Sequence, residues 1–296
     1  MNRIYFLKMT LLLCSLFSFY MKPFAQVEEK ALASIVYDFV HVTDTTQRTN
    51  PRKESMILYL GQHGSVYKSQ TLAIKLEEMK KKAANDFPGK AVRNQLSFHS
   101  PNISSAELYL FPEEHKLFIG DKIGPTSYII SESFPKIDWQ ILQITKEIGG
   151  YHCQQAKGNF GGRTYIAWFT TELPFPYGPW KLHGLPGLIL EAADSKQEVL
   201  FHYAGFDKLT NTHVDITLPN QAITTTSKDF ERAKVAFEKN PMAGLKNSLP
   251  AHAKMKLVMK DESGRELSPD EITALRATKG KNGKSQVNNP LELDKK

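Results

Sequence analysis

Residues 31–42, ALASIVYDFVHV, alternate loosely between apolar and polar positions and are rich in Val, Ile, Tyr and Phe. That combination suits a pleated, half-buried surface and predicts a strand. Strands are predicted again at 54–61 and 64–70, the first two being separated by the polar stretch TDTTQRTNPRK at 43–53. Strands so close in sequence favour antiparallel pairing. The period then changes. In 71–87, Leu72, Leu76, Met79 and Ala83 recur at helical spacing among Lys and Glu, and Pro88-Gly89 supplies a stop. The cluster Lys80–Lys82 reads as a solvated helix face.

After a loop at 94–106 the strand pattern resumes at 108–111, 116–120 and 127–131, with turns at Pro112-Glu113-Glu114 and Ile123-Gly124-Pro125. Residues 138–173 hold about three further strands, punctuated by Gly149-Gly150 and Gly161-Gly162. A hairpin is expected at 188–209 with Asp194-Ser195-Lys196 at its tip, and a last strand at 213–220. From there the character shifts. Phe230, Ala233, Val235 and Phe237 predict a helix over 227–241, with Ser227 as candidate cap. Residues 255–277 mix a short strand with a short helix capped near Ser268 or Asp270. Residues 278–296, rich in Gly, Lys and Asn, are expected to form a flexible tail.

Roughly ten short strands with one early helix and C-terminal helices define an α+β protein. The expectation is a mainly antiparallel, curved, half-barrel-like sheet in a single domain at 26–277. A sheet of that size must curve or close to hide its edges.

Charge and composition change this picture at one end. Arg3 and Lys8 precede an apolar run from Met9 to Met21, and the small Ala25 offers a cleavage point. Residues 1–25 therefore read as an export signal, and the run is short for a membrane span. Their removal takes away Arg3, Lys8 and Lys22 and no acid, so the formal charge falls from +7 to +4. The remaining charge is too mild to argue for a nucleic-acid partner. The protein is expected in the periplasm or cell envelope, peripheral to membrane at most. Cys14 leaves with the signal. Cys153 is then alone and reads as a small buried hydrophobe on a strand; His152 beside it would face the opposite way.

The stretch 171–194, TELPFPYGPWKLHGLPGLILEAAD, concentrates the candidate chemistry. It lacks the spacing of a phosphate loop, of a dinucleotide fingerprint and of a nucleophile elbow. Gly178-Pro179 forms a turn. Gly184, Leu185, Pro186 and Gly187 read as a rigid bend feeding a strand, with Leu185 turned inward. Around it, Trp168, Phe175, Tyr177, Trp180 and His183 are candidates for a ligand or partner surface, aromatic rings with polar tips being suited to that task. No catalytic residue and no metal or cofactor site is assigned.

The segment 168–189, WFTTELPFPYGPWKLHGLPGLI, together with NNPLEL at 288–293 and the pattern Tyr151-x-Cys153-x-x-Ala156, resembles the GLPGLI family of exported Bacteroidetes proteins. The resemblance covers nearly the whole chain after the signal. It implies a cell-envelope protein, carries no activity or catalytic residues, and suggests association with TonB-dependent outer-membrane receptors. A curved sheet with helices is also similar, by fold analogy alone, to periplasmic lipoprotein carriers. The leading expectation is a non-catalytic envelope protein that binds an apolar ligand, such as a lipid, or an outer-membrane protein partner. The alternatives are a hydrolase using His183 or His152 and a metal-handling protein.

Overall fold

The computed structural model describes residues 29–86, 103–210, 214–239 and 287–294, with Arg265, Ser268 and Glu271 in addition. The signal at 1–25, most of the loop at 94–106 and nearly all of 255–277 lie outside the described residues. Among the described residues, twelve strands form one sheet. In chain order they are β1 (Ala33–His41), β2 (Arg52–Leu60), β3 (Ser65–Ser69), β4 (Glu107–Phe111), β5 (Lys116–Ile123), β6 (Thr126–Glu132), β7 (Gln140–Ile148), β8 (Tyr151–Phe160), β9 (Arg163–Thr170), β10 (Leu188–Asp194), β11 (Val199–Lys208) and β12 (Ile223–Thr225). Helix α1 (Gln70–Asp86) follows β3, and α2 (Ser227–Lys239) follows β12.

The spatial order is β12-β6-β5-β4-β3-β2-β1-β11-β10-β9-β8-β7, so the sheet is open, with β12 and β7 at its edges. Neighbours run antiparallel except for β12, which lies parallel to β6. Two meanders, β1 to β6 and β7 to β11, meet where β1 pairs with β11 along its full length. At that seam Val36 faces Gly205 and Tyr37 faces Tyr203, leaving Ala204 as an extra residue. Such a bulge bends and twists the strands it interrupts.

Strand alternation sorts the side chains. Ile35, Tyr37 and Phe39 of β1, Met56 and Leu58 of β2 and Tyr165, Ala167 and Phe169 of β9 share one face and form the main core. Leu173, Tyr177, Leu182 and Leu185 are buried in the same cluster. The segment 171–187 therefore lies over this face as its cover. The Tyr37 hydroxyl donates to the Ile189 carbonyl at 2.6 Å, tying β1 to the start of β10 where the cover rejoins the sheet. On the other face a small cluster gathers Ala31, Val66, Tyr109 and Ile216. Helix α2 packs Phe230 against Ile123 and Ile130, with an edge-on contact to Tyr128.

Four expectations need correction. Residues 214–220 form no strand; Asp215 makes a single bridge to Lys30, and Ile216 anchors the segment by burial. Strand β12 was hidden because three exposed or half-buried residues carry no periodicity. The cap of α2 is Thr226, whose hydroxyl accepts from the Asp229 amide at 3.2 Å, while the Ser227 hydroxyl donates to Glu132. Finally, 287–294 is not a free tail. Asn289 is buried and the segment is bonded to the core, because a buried arginine collects its carbonyls. Among the described residues no helix is long and apolar enough to cross a membrane.

Candidate functional site

The cover segment begins where β9 ends. An added Cβ at Gly187 would stand 2.0 Å from the Thr170 carbonyl oxygen, so only glycine lets the chain return this close. The bend is held by main-chain bonds from Leu188 to Leu173, from Ile189 to Tyr177 and from Gly184 to Pro176. A turn from Pro179 to Leu182 sits at its apex, and Trp180 within it has a φ of 57°. A bulky residue rarely adopts that left-handed conformation.

At this apex the sheet and cover leave a cavity of about 300 Å³. Phe39, Met56, Tyr67, Leu108, Ile119 and Phe201 come from six different strands, and Glu132 from a seventh; Trp180 and Leu291 complete the apolar wall. Seven neighbouring strands in a flat sheet would span about 29 Å at the usual spacing. Lining one small cavity together requires the sheet to curve strongly around it.

Charged groups border the cavity in two clusters. Arg52 pairs with the buried Glu54, which also accepts from the Ser104 amide at 2.9 Å. Lys181, next to Trp180, is 5% exposed; its ammonium pairs with Glu292 and lies 3.4 Å from Glu132. Beyond the Lys181–Glu292 pair lies a second, more polar cavity of about 580 Å³, bordered by Phe134, Lys136, Phe160 and Asp294. The ion pair is a partition between the two.

Leu291 and Glu292 reach this place because Arg163 holds the segment from beneath. Arg163 follows the Gly161-Gly162 turn and is buried. Its Nε donates to the Leu291 carbonyl at 3.1 Å and its Nη2 to the Pro290 carbonyl at 2.7 Å and to Asn289 Oδ1 at 2.6 Å. Its Nη1 donates to Asp194 at 2.8 Å and to Glu198 at 3.3 Å. Asp194 in turn accepts the Glu198 and Val199 amides. Burial pushes the Glu198 carboxyl up, but hydrogen bonds from Arg48, Arg163 and Asn289 outweigh it and the net shift is downward. The Asn289 carbonyl can only accept, so His41 Nε2, 2.8 Å away, carries a proton and donates it. Burial depresses the His41 pKa to about 4, with Arg163 and Arg52 adding to the effect.

The five residues proposed from sequence do not form one surface. Trp180 lines the cavity. Tyr177 is buried in the core and Phe175 packs half-buried against it. Trp168 stands on the opposite face of β9, with the Lys146 ammonium 4.5 Å from its ring centre. His183 is buried beside Phe134; its Nε2 donates to the Pro135 carbonyl at 3.0 Å, and burial lowers its pKa. His152 is exposed, 3.7 Å from Glu147, and Cys153 next to it is buried, its thiol pushed up to about 11 by burial. Leu185 is buried as expected of an inward plug. Sequence reasoning missed Lys181 and Glu292. One signal was available for the first: a lysine between Trp180 and Leu182 in an otherwise apolar run. Among the described residues no group of three His, Cys, Asp or Glu side chains could hold a metal ion.

Residues 161–191 match the family described as a protein of unknown function, Porph_ging. The matched stretch runs from the Gly161-Gly162 turn through the cover segment into β10, and so includes Arg163, Trp180 and Lys181. No curated protein matches the chain. Among solved structures, PNGF-II in the P21 space group is similar over 69% of this chain and 33% of that chain, with 14% identity and a TM-score of 0.48. PNGF-II in the C2 space group covers 69% and 32%, with 12% identity and the same TM-score. The chain thus spans about a third of the length of the solved structures it matches.

Proposed function

We propose that this chain is a non-catalytic cell-envelope protein that takes up a small apolar ligand in the cavity beneath Trp180. The observation that supports the reading is the cavity itself: about 300 Å³, walled by Phe39, Met56, Tyr67, Leu108, Phe201 and Trp180, with two clusters of paired charged groups on its border. Natural ligand sites share that make-up, an apolar wall with a few placed polar groups, and this one falls at the small end of their range. The export signal read at 1–25 argues for the periplasm. Residues 161–191 match Porph_ging, a family of unknown function; the partner we propose, a TonB-dependent outer-membrane receptor, rests on the GLPGLI resemblance alone.

The hydrolase reading has less support. His183 spends its Nε2 proton on a carbonyl within the core, and His152 is solvated beside Glu147. The test of ligand binding is native mass spectrometry of protein purified from its own periplasm, followed by titration with an environment-sensitive apolar dye. A co-purifying small apolar molecule and saturable dye binding are expected. A clean apo protein that binds no dye would overturn the proposal.

A further inference from the structure

The partition between the two cavities has the chemistry of an occupied head-group site. Lys181 is nearly inaccessible to solvent, yet it borders the cavity instead of packing within the core. The left-handed turn at Trp180 brings two consecutive side chains, an aromatic ring and an ammonium, to the same space. Strained backbone of this kind persists only where the surroundings impose it, and it gathers at binding and catalytic sites. Opposite them the chain supplies an apolar side chain followed by a carboxylate: Leu291 lines the cavity and Glu292 meets the ammonium.

We infer that Lys181 is the anchor for the carboxylate of an amphiphilic acyl ligand, and that Leu291-Glu292 stands in for this ligand in the structure. The inference rests on the reading of the cavity as a ligand site and adds the ligand's class. Size sets the chain length. A methylene takes about as much space as a water molecule, ~30 Å³, so a cavity of about 300 Å³ accepts roughly ten carbons. Charge sets the head group. Exchanging Glu292 for a ligand carboxylate leaves the buried ammonium paired and the charge of the site unchanged. A neutral ligand that displaced Glu292 would leave Lys181 with Glu132 at 3.4 Å, a long contact for a charge-assisted bond. The polar cavity on the far side, bordered by Lys136, gives Glu292 a place to go.

The experiment is calorimetric titration of the purified protein with decanoate and with 1-decanol, on the wild type, Glu292→Gln and Lys181→Met. Wild type is expected to favour decanoate over the alcohol only about twofold to threefold, because the ligand carboxylate replaces the Glu292–Lys181 bond and does not add one. Glu292→Gln, which removes the internal competitor, should tighten decanoate about tenfold and leave decanol unchanged. Lys181→Met should abolish the preference while still binding decanol. Equal affinity for both probes in the wild type and in Glu292→Gln would overturn the carboxylate anchor and leave the apolar cavity standing. Binding of neither probe by any of the three proteins would overturn the cavity reading together with the inference. Should Lys181→Met not fold, the two probes on wild type and Glu292→Gln decide the matter.

Discussion

Two buried ion clusters tie the same C-terminal segment to the same sheet, and they are built differently. Around Arg163 every side-chain partner is buried: Asp194, Glu198 and Asn289 close on the guanidinium, and the carbonyls of Pro290 and Leu291 complete its bonds. All three guanidinium nitrogens are engaged, and Asp194 is held in turn by the Glu198 and Val199 amides. Around Lys181 the ammonium has carboxylate partners but cavities on both sides. A dry, fully bonded cluster can only be broken at the cost of an uncompensated charge. A pair flanked by space can exchange one partner for another. The first cluster fixes where the segment lies; the second leaves its tip replaceable.

The largest disruption should come from the bend on which Trp180 and Lys181 are both mounted. Gly187→Val places a side chain on the Thr170 carbonyl and should cost more than about 4 kcal/mol, seen as loss of soluble folded protein. Arg163→Ala should cost about 3–5 kcal/mol by urea denaturation, because the buried Asp194 loses its cation and Glu198 keeps only Arg48. It should also free 287–294 to proteolysis. Normal stability in this variant would erase the distinction between the clusters.

A pH series probes the dry cluster without mutation. His41 has a folded pKa of about 4 against an ordinary 6.5, so the unfolded chain binds the extra proton first as pH falls. Above about pH 6.5 both states are neutral and nothing is lost. Between 6.5 and 4 the folded state should lose up to about 3 kcal/mol, and His41→Gln should flatten that part of the profile. An unchanged slope in the variant would assign the effect to another group. Acid should weaken the fold further once Glu198, whose pKa is lowered in the folded state, takes up its proton. The smallest effect is expected of Lys181→Met. Its flexible side chain takes the lysine's place, and Glu132 and Glu292 border cavities in which water can solvate them, so the loss should stay below about 1.5 kcal/mol in the same denaturation experiment. A loss as large as that of Arg163→Ala would make the Lys181 pair a structural clamp.

Local pattern carried the sequence reading a long way. Alternation in 31–42 marked β1, the glycine pairs marked the reversals around β8, and apolar spacing marked α1, because each reports exposure on its own element. Leu185 was legible as an inward plug for the same reason. The aromatics of 168–183 were not legible as a site. Periodicity says that Tyr177 and Trp180 are apolar, but not that one fills the core while the other walls a cavity.

The C-terminal segment shows the limit most clearly. Averaged over 278–296, composition predicted a flexible tail, although the short string at 288–293 was already visible as a pattern. What holds that string is Arg163, 126 positions away at Asn289, and what it reaches is Lys181, 111 positions from Glu292. The sequence by itself determined most of the strands and turns and the inward Leu185, since those follow from neighbours along the chain. Only the tertiary structure decided the pairing of β1 with β11, the curvature that gathers seven strands around one cavity, and the return of the C-terminal segment to close it. Those depend on where distant parts of the chain meet, and a buried charge acquires its meaning from the partner that arrives there.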